Sequence, residues 1–131
     1  MEALRFLKEQ LNKNSDARTF TVIWFGTPHS PWASLESDRE QFPQLSFQAQ
    51  RHYGELVAMD RSIGALRGGL QELGIADNTL LWFSSDNGGL PNKDFQPTVG
   101  QLNESIDGMV SLRGSKGTLY EGGLRVPSIV E

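Results

Sequence analysis

Four residues combine a reactive side chain with a setting that could hold it still: His29, Asp86, Asn87 and Lys116. His29 lies in Thr27-Pro28-His29-Ser30-Pro31, where a proline on each side restricts the backbone that carries the imidazole. A histidine titrates near neutral pH, so it could serve as an acid or contact an anion. Taken alone, a surface-loop histidine is the simpler account. Asp86-Asn87, followed by Gly88-Gly89, offers a carboxylate and an amide carbonyl. These are hard oxygen donors, suited to Ca²⁺ or Mg²⁺ rather than Zn²⁺. A tight turn before glycine explains the same pair. Lys116 sits in Arg113-Gly114-Ser115-Lys116-Gly117-Thr118, whose glycines permit close backbone approach and unusual dihedrals. A lysine there could neutralise an oxyanion, and a solvated loop lysine is the alternative. The segment is not a Walker phosphate loop, because Gly-x-x-x-x-Gly-Lys-Ser/Thr is absent. His52 lies within the longest helical pattern and reads as a helix-surface residue.

The elements that must position these residues follow from the apolar spacing. Residues 2–13 read as an amphipathic helix with Ala3, Leu4, Leu7 and Leu11 on one face, ended by the polar run Asn12 to Asp16. Residues 19–27 read as a strand, and the unbroken apolar run Val22 to Phe25 suggests burial on both faces, as in a parallel sheet. A loop from Pro28 to about Ser46 leads into a helix predicted over 47–73, where Leu56, Met59, Ile63, Leu66, Leu70 and Leu73 recur at helical spacing. Gly74 is placed to close that helix in the left-handed conformation. Gly68-Gly69 within it costs about 1 kcal/mol per glycine relative to alanine, which close packing against a sheet would explain. After a turn at Asp77-Asn78, residues 79–85 read as a second apolar strand, giving a βαβ unit. Residues 90 to about 112 read as irregular, and Leu124 to Val130 as the start of a third strand. Both apolar strands run into polar clusters. Ligands of open parallel sheets bind beyond the carboxyl ends of the strands, so His29 and Asp86 are expected to share one site.

Composition narrows the function. The chain has 131 residues, enough for one domain with a real core. Lys and Arg number 12 against 16 Asp and Glu, a net charge of −4, which argues against a nucleic-acid binder. No cysteine is present, which removes disulfides, thiolate metal sites and cysteine nucleophiles from this chain. No apolar stretch reaches the ~20 residues of a membrane span. Met1 to Arg5 has neither a basic nor an apolar leader pattern, so no signal peptide is expected. The triplet Asn103-Glu104-Ser105 is a glycosylation sequon of a kind that often arises by chance.

Several strings occur in an order that resembles the sulfatase family of the alkaline phosphatase superfamily. They are Thr27-Pro28-His29-Ser30-Pro31; Tyr53 through Met59-Asp60-Arg61-Ser62-Ile63-Gly64; Ala76-Asp77-Asn78-Thr79; Ser85-Asp86-Asn87-Gly88; and the continuous run from Arg113 to Pro127, the most specific of them. The resemblance covers nearly the whole chain and is weakest over 90–110. It implies an α/β fold: part of an alkaline-phosphatase-like three-layer sandwich with a mainly parallel sheet. It implies that Asp86 and Asn87 are metal ligands for Ca²⁺ or Mg²⁺, that Lys116 contacts the substrate sulfate, and that His29 lies near the leaving-group oxygen. The substrate would be a sulfated small molecule or glycan. Family members are often exported.

The resemblance also exposes an absence. The family nucleophile is a Cys or Ser in Cys-x-Pro-Ser-Arg or Ser-x-Pro-Ser-Arg, oxidised to formylglycine, and neither string occurs here. Arg125-Val126-Pro127-Ser128-Ile129 fails at its first and last positions. A second pair of metal carboxylates has no counterpart either. Residues 1–131 are therefore expected to be the later part of a sulfatase catalytic domain, truncated at both ends and inactive alone. A non-catalytic, truncated or degenerate sulfatase-like protein and a related phosphoester or phosphonate hydrolase are the alternatives.

Overall fold

The computed structural model describes residues 1–89 and 112–131. The irregular segment expected up to about Leu112 and the Asn103 sequon fall, but for Leu112 itself, outside the described residues. The chain divides into two units, residues 1–43 with 50–79 and residues 44–49 with 80–131.

In the first unit, α1 (Glu2–Lys13) forms over the expected residues. Its apolar face buries Leu7 and half-buries Ala3, Leu4 and Leu11. Arg5, on the exposed side, donates to Glu2 at 3.0 Å and to Glu9 at 2.9 Å, contacts that contribute little in open solvent. The polar run after Lys13 stops the helix through an Asx turn, in which Asn14 Oδ1 accepts the Asp16 N–H at 3.0 Å. α2 (Glu36–Arg39) is a single turn.

α3 (Phe47–Glu72) follows the predicted 47–73 pattern, with Leu66 and Leu70 buried. Gly74 closes it at φ +70°. The Gly74 N–H donates to Gln71 O at 2.9 Å and the Ile75 N–H to Leu70 O at 3.1 Å, the two bonds of a Schellman closure. A short 3₁₀ turn (Ala76–Asn78) stands where the turn was expected. Gly68-Gly69 has another explanation than the one expected. A Cβ at Gly69 would lie 2.3 Å from Leu4 Cδ1, so the close packing is α3 on α1, helix on helix rather than helix on sheet.

The strands depart from expectation. Residues 19–26 have no assigned secondary structure, and among the described residues they pair with no strand. Ile23 and Phe25 are half-buried while Phe20 and Trp24 are 92% and 91% exposed, so one face is covered and not two. In the second unit β1 (Trp82–Ser84) is shorter than the expected 79–85, and β2 (Ser128–Val130) is shorter than the expected 124–130. The two pair antiparallel, with Trp82 opposite Val130, Phe83 opposite Ile129 and Ser84 opposite Ser128. Reciprocal bonds of 3.0 and 2.9 Å between Leu81 and Glu131 extend the ladder. The parallel pairing expected between 19–27 and 79–85 is not seen among the described residues; the pair that forms joins the second and third expected strands, for which no direction was expected. α4 (Glu121–Leu124) precedes the segment read as a third strand and shares only Leu124 with it.

Candidate active site

Three of the four residues belong to the second unit, and backbone contacts explain how they are held. Ser115 to Thr118 forms a turn in which the Thr118 N–H donates to Ser115 O at 3.0 Å and Gly117 has φ +84°. An i to i+3 bond with positive φ at the third residue is the type II pattern, which places Lys116 at the second position. Thr118 Oγ1 donates to Ser115 O at 2.7 Å and accepts from Ser115 N–H at 3.0 Å, so one hydroxyl braces both ends. The Lys116 N–H is spent outside the turn, on Gly89 O at 3.0 Å.

That bond is one of two stitches seen among the described residues between the Asp86 loop and the glycine-rich segment. Gly88 N–H donates to Gly123 O at 2.9 Å, and within the segment Gly122 N–H donates to Arg113 O at 2.8 Å. A Cβ at Gly88 would lie 1.8 Å from Gly122 O, so only glycine permits this approach of backbone to backbone. Ser85 Oγ donates to Asn87 O at 2.8 Å and tightens the turn that carries Asp86. Arg113 lies over the Tyr120 ring at 3.8 Å and donates to its hydroxyl at 2.8 Å, bracing the segment from its exposed side. The structure thus brings the backbones of Asp86-Asn87 and Lys116 into one stitched pair of loops. Among the described residues no ion pair joins Lys116 to Asp86, and neither charged group has a side-chain partner.

The donor set is compatible with part of a hard-cation shell. Asp86 is exposed; Asn87 is half-buried and donates from Nδ2 to Gly88 O at 2.9 Å, which leaves Oδ1 as its acceptor. Two side chains with at most three oxygens supply a fraction of the 6–8 that Ca²⁺ takes. Among the described residues no group of three His, Cys, Asp or Glu gathers to supply the others.

His29 belongs to the first unit. It is exposed, its N–H donates to Gly26 O at 3.0 Å, and its Nδ1 lies 2.7 Å from Ser30 O. A carbonyl partner requires Nδ1 to carry the proton, which leaves Nε2 as the nitrogen able to exchange one. The surrounding loop is braced by residues that sequence reasoning missed. Trp32 Nε1 donates to Pro28 O at 2.8 Å. Glu55 of α3 accepts from Ala33 N–H at 2.6 Å and from the Thr27 hydroxyl at 3.2 Å. Asp38, 2% exposed, pairs with Arg61 of α3. His52 was read as a helix-surface residue, but it is half-buried and meets the Trp32 ring edge-on at 5.3 Å and the Tyr53 ring at 5.6 Å. Burial pushes its imidazole below the ordinary histidine value, with Glu55 opposing. Long-range pairings such as Asp38 with Arg61 have no local sequence signature. Tyr53-Gly54-Glu55 offered only a faint one: a small residue beside a carboxylate where a loop could cross.

Comparison with known proteins bears on the whole chain. The Sulfatase family model matches residues 1–131. N-acetylgalactosamine-6-sulfatase of Canis lupus familiaris is 33% identical over 131 residues, covering 98% of this chain and 22% of that protein. Arylsulfatase J of Mus musculus is 31% identical over 112 residues, 85% of this chain and 17% of that protein. The crystal structure of Ps i-CgsB in complex with k-i-k-neocarrahexaose superposes with a TM-score of 0.76 at 29% identity, over 99% of this chain and 26% of that one. The chain therefore spans about a fifth of the length of these curated relatives. With a family model matched from end to end, this chain belongs to the sulfatase family.

Proposed function

We propose that this chain supplies metal-holding, sulfate-holding and leaving-group residues to a sulfate-ester hydrolase. The observation that carries the reading is the stitched pair of loops, which fixes Lys116 beside the Asp86-Asn87 turn through main-chain bonds. Asp86 and Asn87 would hold a Ca²⁺ or Mg²⁺ ion, whose positive charge stabilises oxyanion charge on the sulfuryl group. Lys116 would carry the remaining negative charge of the sulfate oxygens as the ester bond breaks. His29, with Nδ1 held by Ser30 O, would donate from Nε2 to the departing alcohol or phenol oxygen. The attacking oxygen would come from formylglycine outside these residues, since no Cys-x-Pro-Ser-Arg string occurs here.

The same reading takes residues 1–131 as the later part of a sulfatase catalytic domain, within an alkaline-phosphatase-like three-layer sandwich with a mainly parallel sheet. Its support is the likeness to a much longer solved chain. A sulfated glycan is the favoured substrate class. One relative is named for an amino-sugar sulfate and the solved neighbour carries an oligosaccharide.

The test is hydrolysis of nitrophenyl sulfate. In an active polypeptide carrying these residues, Asp86→Ala and Lys116→Ala are each expected to lower turnover by about 10²-fold or more, the scale of losing a charge-stabilising contact. The 131 residues alone are expected to give no metal-dependent turnover. Wild-type rates in both variants would refute the assignment.

A further inference from the structure

We propose that Glu55 is a positioning residue for His29, its carboxylate clasping both ends of the loop that carries the imidazole. The role in catalysis rests on the reading of His29 given above; the clasp itself does not. Glu55 Oε1 accepts the Ala33 N–H at 2.6 Å and Oε2 accepts the Thr27 hydroxyl at 3.2 Å. The two donors stand six positions apart, with His29 between them, so one side chain on α3 ties down both ends of the span. A carboxylate suits this task because its two oxygens accept independently, and an ionised acceptor makes the stronger bond.

Neighbouring residues of α3 seat the same loop. A Cβ at Gly54 would lie 2.8 Å from Ser34 Oγ, so the missing side chain is what lets the loop cross the helix here. His52 meets the Trp32 ring edge-on at 5.3 Å, and Trp32 Nε1 donates back to Pro28 O at 2.8 Å. These contacts fix Pro28 and Trp32 on either side of His29. What remains for Glu55 is the span itself: without it, residues 27 and 33 lose their common anchor. His29 is exposed and, among the described residues, its ring is hydrogen-bonded to Ser30 O alone, so the direction of Nε2 follows the course of the loop.

Three variants test the proposal: Glu55→Ala, Glu55→Gln and Thr27→Val. Glutamine keeps an acceptor for the Ala33 N–H and an amide donor for the Thr27 oxygen, so it should preserve both contacts; alanine preserves neither. Amide hydrogen exchange and the His29 ring resonances are followed by NMR, with kinetics on nitrophenyl sulfate in the active polypeptide. In Glu55→Ala the Ala33 amide is expected to lose protection and the His29 resonances to move, while the amides of α3 keep theirs. kcat is expected to fall on the order of ten- to a hundredfold with KM nearly unchanged, the scale of misplacing a catalytic group by about 1 Å. Glu55→Gln should restore protection, ring resonances and most of kcat. An Ala33 amide that stays protected in Glu55→Ala overturns the clasp. Should that variant unfold, Thr27→Val decides, since it removes one contact from an otherwise intact loop. Unmoved His29 resonances there would also overturn it. A displaced His29 with full activity would support the clasp and refute the functional reading instead.

Discussion

Lys116 is held by main-chain bonds, and among the described residues its ammonium has no hydrogen-bond or ion-pair partner. An ammonium without a partner among these residues is available to an external anion. Its motif was legible because glycine-rich strings with a fixed lysine are local signals. Asp86-Asn87 was legible for the same reason. Glu55, Asp38 and His52 were not, because each acts on a partner that lies far off in sequence, such as Asp38 on Arg61. His52 supports a prediction at this scale. Its imidazole sits below the ordinary value of 6.5 because burial penalises the charged form. Near and below that value the unfolded chain binds more protons than the folded one. Stability is therefore full above the ordinary value and declines as pH falls toward the lower folded value. Urea unfolding compared at about pH 7.5 and about pH 5.5 should show a larger loss for the wild type than for His52→Gln. Equal losses would mean that His52 is as solvated in the fold as out of it.

At the scale of elements, helices were read well and strands were not. The 3.6-residue period of α1 and α3 and the closing glycine at position 74 are properties of the local chain, so both bounds emerged nearly unchanged. Strand pairing depends on residues brought back from a distance, and the apolar run of 22–25 could not announce that one of its faces would stay exposed. The glycine pair in α3 separates local propensity from packing. A Cβ at Gly68 meets nothing within 4 Å, whereas one at Gly69 meets the Leu4 side chain at 2.3 Å. Gly68→Ala should stabilise the fold by about 1 kcal/mol through helix propensity alone. In Gly69→Ala the same gain is opposed by an overpacking cost of about 1–3 kcal/mol, so that variant should be neutral or less stable. Thermal midpoints that rise equally in both would show that Leu4 gives way freely.

For the molecule as a whole, the chain matches a minor part of the length of the longer sulfatases it resembles. It covers 26% of the solved chain it superposes on, and large apolar side chains such as Phe20, Trp24 and Leu119 are almost fully exposed. In the function proposed above, the Asp86-Asn87 turn would offer hard oxygen donors to a metal and Lys116 an ammonium to the sulfuryl group. No helix among the described residues is long and apolar enough to cross a membrane. The claim that Lys116 and the Asp86-Asn87 turn form a single anion and cation site is tested most directly by titrating the isotopically labelled chain with CaCl₂ and then Na₂SO₄, following backbone amides by NMR. Ca²⁺ should shift Asn87 and Gly88, binding on the order of millimolar as expected for few ligands and little charge. Sulfate should then shift Lys116 and Gly89, more strongly with Ca²⁺ present than without it, and Lys116→Ala should abolish that response. Sulfate shifts that scatter over the other lysines and arginines, indifferent to Ca²⁺ and unchanged in Lys116→Ala, would contradict it.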